Sequence, residues 1–140
     1  MRVAYTLDSF PEDYHPSDQL NSLLLKALNI GLDRLATGGA LLPMLIVDTP
    51  RGYELIVIEV DDEMGLLAEA ADRLAGTPDA YAYALLFEGE FHSEAGGLSG
   101  VVVEGAEPGM SHGYRLLGIA GESAGAVYHG HAAQLFRESA

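Results

Sequence analysis

Cysteine and tryptophan are absent, lysine occurs once, at position 26, and only 7 basic residues stand against 21 acidic ones. Without cysteine there is no disulfide framework, no thiolate nucleophile and no cysteine-held zinc or iron–sulfur site. A sole lysine inside an apolar-patterned segment, with no Gly-x-Gly-x-x-Gly string, leaves no phosphate cradle, so no nucleotide cofactor is expected. The formal charge of −14 repels phosphates and anionic lipid heads, which removes nucleic acid and membrane surfaces from the expected partners. Long apolar runs are missing as well. Asp8 interrupts residues 1–7 before a signal-peptide core forms, and no stretch approaches the ~20 residues a membrane span needs. The expected location is the cytoplasm.

What is present suits one domain: 140 residues, 49% apolar, with no repeat or linker. Residues 1–16 read as a short strand (2–7) and a polar, proline-marked arm anchored by Phe10 and Tyr14; residues 17–140 read as a single α+β domain. Ser17 is an N-cap with Asp18 in the first turn. Leu20, Leu23, Leu24, Ala27, Leu28, Gly31 and Leu35 recur at helical spacing, and Leu25, Ile30 and Leu32 widen the stripe, until Thr37-Gly38-Gly39 ends the helix. A helix this apolar predicts cover on more than one side, by a sheet and by a second copy of the chain.

Residues 40–47 and 53–60 predict an antiparallel hairpin, with Pro43 marking the first strand as an edge or as bulged. In the second, Ile56, Ile58 and Val60 share one face and Tyr53, Leu55, Val57 and Glu59 the other. Asp61 is the expected cap of a second helix whose core face is Leu66, Leu67, Ala70, Ala71 and Leu74. Strands follow over 80–92, 98–104 and 114–120. The first of these is buried at its start, and Glu88, Glu90 and His92 carry it out into water. The glycine-rich second half predicts a bent sheet. Residues 126–136 fit helix or strand, with a hairpin turn across 121–125 favoured.

The sum is an antiparallel sheet of five to six strands with two helices, in the order α-β-β-α-β-β-β. This element order resembles that of roadblock-like and profilin-like small α+β domains. The resemblance implies pairing through helices or edge strands; it carries no residue motif.

Three constellations bear on chemistry. Gly121-Glu122-Ser123-Ala124-Gly125 fits the nucleophile elbow Gly-x-Ser-x-Gly of serine hydrolases, where a strained strand-to-helix turn exposes the serine. In that fold the acid and histidine follow the serine, yet only 17 residues follow Ser123, with Glu138 as their one acid. His129 and His131, two apart on a strand, would lie about 7 Å apart on one face. They could hold a divalent ion if His92, His112, Glu88 or Glu90 supplied a third ligand. Arg115, the one base between Tyr81 and Phe136, is expected to pair with a cross-strand acid. The balance assigns no catalytic, cofactor-binding or metal residue. It favours a non-enzymatic interaction or regulatory domain acting as a homodimer. The alternatives are a hydrolase using Ser123, a histidine-based metal enzyme, and an acidic inhibitor of a basic protein.

Overall fold

The computed structural model describes residues 3–5, 14–38, 40–60, 62–93, 96–110, 113–119 and 122–128. Two helices and seven strands form in the order β1 (Val3–Tyr5), α1 (Asp18–Ala36), β2 (Met44–Thr49), β3 (Gly52–Val57), α2 (Glu63–Ala75), β4 (Ala82–Ser93), β5 (Gly96–Ala106), β6 (Gly113–Ile119) and β7 (Glu122–Tyr128). The class is α+β, with the expected helix–hairpin–helix–meander order. The strands lie as β3-β2-β4-β5-β6-β7, each antiparallel to its neighbours. β1 adds a short parallel piece against Gly89–Phe91 of β4, beyond the end of β2 on the same side.

α1 starts where its cap dictates. Ser17 Oγ accepts the Leu20 N–H at 3.1 Å and donates to Glu107 Oε1 at 2.9 Å, tying the helix start to the loop after β5. It ends where Gly38 takes φ +83°, a conformation open to a residue without Cβ. α2 is capped by Asp62 rather than the expected Asp61. Its carboxylate accepts the Gly65 N–H at 2.7 Å, three residues on, which is the reach a cap requires.

The sheet is covered on both faces. α1 buries Leu20, Leu23, Leu24, Ala27 and Leu28 against Met44, Ile46, Ala84, Leu86, Val101, Val103 and Leu116. α2 buries Leu66, Ala70 and Leu74 against Leu45, Val47, Leu85, Phe87, Val102 and Leu117. That double cover explains why Met44 to Val47 are four consecutive apolar residues, each at most 1% exposed.

Pro43 does not mark an edge. It lies one residue before β2, outside the strand, and its carbonyl accepts the Ile58 N–H at 2.8 Å. β2 is therefore interior and β3 is the edge. The wide stripe of α1 is also accounted for within the chain. Ile30, Leu32 and Leu35 pack against the α1 cluster, and only Leu25, at 45% exposure, is left outside. Glu88 and Glu90 are half-buried rather than in water, because β4 continues to Ser93 with β5 on one side and β1 on the other.

At the start of the domain Tyr14 packs edge-on to Tyr114, with ring centroids 5.4 Å apart. The Tyr114 hydroxyl donates to the His15 carbonyl at 3.0 Å. Phe10 lies outside the described residues.

Candidate functional site

The motif that resembled a nucleophile elbow has a different backbone. Glu122, Ser123, Ala124 and Gly125 are consecutive residues of β7, opposite Ile119, Gly118, Leu117 and Leu116 of β6. An elbow needs a strand, a sharp turn and a helix. Here Ser123 belongs to an extended ladder, and the expected turn over 121–125 gives way to strand from Glu122. Ala126, Val127 and Tyr128 continue it, which settles the start of the ambiguous segment as strand.

Of the five histidines, His15 and His92 lie among the described residues. His112, His129 and His131 lie outside the described residues. His92 sits in β4 opposite Gly97, and His15 is exposed just before α1. Glu88 and Glu90 face Val101 and Ser99 of β5. Among the described residues no group of three His, Asp or Glu is placed to hold a metal ion.

A different feature stands out at the far end of the sheet. In an antiparallel pair, ladder bonds recur at every second residue. The Ile58 N–H bonds to the Pro43 carbonyl, one step past the Met44–Val57 pair that ends the β2–β3 register, so Ile56, Glu54 and Gly52 likewise turn their backbone groups toward β2. Tyr53, Leu55 and Val57 then point theirs away from the sheet. Asp48, the partner of Tyr53, agrees: its carbonyl accepts from the Tyr81 N–H on the opposite side, at 2.7 Å. The strand order ends at β3, so among the described residues no strand meets these groups.

The side chains of the same three residues lie on the α1 face, since they stand opposite Asp48, Ile46 and Met44. α1 packs over β4, β5 and β6 and reaches only lightly onto β2, which leaves the β3 side uncovered. Tyr53, Leu55 and Val57 are 45%, 48% and 47% exposed, in an unbroken row. The row has one cation beside it: Lys26 Nζ lies 5.0 Å from the Tyr53 ring centroid, within cation–π range.

Both ends of β3 are polar. At the hairpin, Arg51 donates to both oxygens of Asp79, at 2.8 and 3.3 Å. That hydrogen bond, with the guanidinium charge, holds the Asp79 carboxyl below its usual range. At the other end, an open cleft of about 400 Å³ lies between residues 57–60 and the Glu69–Arg73 ion pair of α2.

The sequence placed Tyr53, Leu55 and Val57 on one face but gave them no role. A signal was there, since β3 has large apolar residues on both faces. What was missing was the identity of the edge, which is decided by β4 pairing to β2 across the length of α2.

No helix in the described residues is long and apolar enough to cross a membrane. No protein-family model, curated protein or solved structure matches the chain.

Proposed function

We propose that this chain is a non-enzymatic interaction domain that works by adding a partner's strand to the free edge of β3. The observation that carries this is the coincidence of outward backbone groups and half-exposed large apolar side chains at Tyr53, Leu55 and Val57. A long, flat, apolar edge is a template for further pairing, and proteins that do not use such an edge blunt it with lysine, proline, a bulge or an inward charge. β3 has no proline or lysine, its register to β2 is regular throughout, and its one charge, Glu54, stands on the α2 face, away from the row. Main-chain bonds at such an edge give affinity, and the alternate side chains give selectivity.

The test is site-directed photo-crosslinking in the native host. A photoreactive residue replaces Tyr53, Leu55 or Val57 in separate variants, or Asp72 on the exposed side of α2. Adducts at position 55 with none at position 72 are expected. Equal labelling at both, or none at 53, 55 and 57, removes β3 as the working surface.

A further inference from the structure

Resting on that reading of β3, we infer that the strand added to this edge is β3 of a second copy, antiparallel, with the two-fold axis through Leu55. Two constraints fix the register. A two-fold pairing matches residue i with a residue j such that i + j is constant. Both must carry outward backbone groups, so the axis must pass through a residue rather than between two. Three centres near the middle of the strand then compete, since an axis at Tyr53 or Val57 sends Leu55 to Arg51 or Glu59 of the second copy. An axis at Glu54 sets the two Glu54 carboxylates directly opposite each other, which like charges on neighbouring strands disfavour. An axis at Ile56 pairs Leu55 with Val57 but sends Tyr53 to Glu59 of the second copy. The axis at Leu55 alone matches every outward apolar residue with another. Leu55 meets Leu55, Tyr53 meets Val57 and Val57 meets Tyr53, while Glu54 stands opposite Ile56.

Charge supports the same centre. Arg51 and Glu59 lie four residues to either side of Leu55 and carry opposite sign. The axis at Leu55 therefore brings each guanidinium, which also holds Asp79 of its own chain, toward the other copy's Glu59 at both ends of the joint. Such a two-fold stands perpendicular to the sheet, so both α1 helices lie on the same face. The two rows of Tyr53, Leu55 and Val57 become one floor between them, in which each of the large apolar residues gains an apolar neighbour across the new ladder.

The absence of cysteine makes the test clean. Residues directly opposite in a hydrogen-bonded antiparallel pair have Cα atoms about 5.5 Å apart, inside the range a disulfide accepts. Leu55→Cys should form a disulfide-linked dimer under mild oxidation. Tyr53→Cys and Val57→Cys should each fail alone, because the same residue in two copies is then roughly 13 Å apart along the strands. Mixed together, those two should link. Sedimentation of the native chain should show mass rising toward twice that of the chain with concentration, and Leu55→Glu should weaken the dimer by at least about tenfold.

Self-linking of Tyr53→Cys as fast as Leu55→Cys overturns the register. A monomer at every concentration, with no link from Leu55→Cys, overturns the second copy. If position 55 then photo-crosslinks to a polypeptide of different mass, the edge reading stands and only self-pairing falls. If position 55 captures nothing, both fall.

Discussion

Arg115 and Glu104 face each other across the β5–β6 ladder, and Nε and Nη2 of the arginine both donate to Oε1 of the glutamate, at 3.1 and 2.9 Å. The glutamate side chain is 2% exposed and the arginine 24%. Removing one partner of a buried pair strands the other charge and costs about 3–5 kcal/mol, whereas replacing both with apolar residues is often close to neutral. Arg115→Met should therefore lower the urea midpoint more than the double variant Arg115→Met/Glu104→Leu. If the double variant is the less stable, the pair is worth more than its desolvation.

Two glycines separate by what a methyl group would strike. A Cβ on Gly105 would lie 2.6 Å from the Tyr83 carbonyl oxygen, a backbone atom. A Cβ on Gly118 would meet Leu28 Cδ1 at the same 2.6 Å, and that side chain can rotate away. Gly105→Ala should cost about 2–3 kcal/mol and Gly118→Ala about 1 kcal/mol, measured by denaturant unfolding. Equal costs would mean the strand at Gly105 gives way.

Two tyrosines resist ionisation. Burial, assisted by Tyr114 nearby, pushes the Tyr14 phenol up to about 12. Burial, with the Glu104 carboxylate, also raises Tyr83 well above its ordinary 10. Because the folded pKa exceeds the unfolded one, these groups contribute fully below pH 10, and stability falls as pH climbs from there through the folded values. For half-buried Tyr14, solvent screening trims the contribution to about 1–2 kcal/mol. Tyr14→Phe should show a shallower loss of thermal midpoint between pH 10 and 12 than the native chain.

The cap of α2 predicts a small, local effect. Asp62→Ala should destabilise by about 1 kcal/mol, and Asp62→Asn by much less, since asparagine also accepts the Gly65 N–H. Hydrogen exchange in the first turn of α2 should quicken only in the alanine variant.

A net charge of −14 repels itself in the folded chain and between two copies. Raising salt from low to physiological strength shortens the screening length to about 8 Å. The thermal midpoint should rise and dimer formation should strengthen over that interval. A dimer that weakens with salt would point instead to ion pairs such as Arg51 with Glu59 as its main support.

The helices were legible because their signals are local. Ser17, Gly38 and the 3.6-residue apolar spacing act within one turn, and the structure follows them closely. Alternation likewise separated the two faces of β3 and of β4 as far as Phe87. Strand order was not legible, because it depends on which distant strand claims each side of β2. Pro43 pointed to an edge, yet it stands one residue before β2, where its carbonyl still accepts from Ile58 and every residue of β2 keeps its own N–H. The motif mimicked a catalytic turn because Ser123 and Gly125 also fit a strand, where Ser123 stands opposite Gly118 of β6.

The interior place of β2 has a consequence for how the chain is made. β2 and β3 leave the ribosome together and can close as a hairpin, but the other side of β2 needs Ala82–Leu86. Those residues follow α2, on the order of a few seconds later at the usual pace of synthesis. During that wait Leu45, Ile46 and Val47 belong to a hairpin with both of its edges open. The nascent chain is thus most exposed to mispairing, or to capture by a chaperone, between completion of Val57 and arrival of Leu86. A pause placed by slow codons within α2 should lower soluble yield more than the same pause placed after β5.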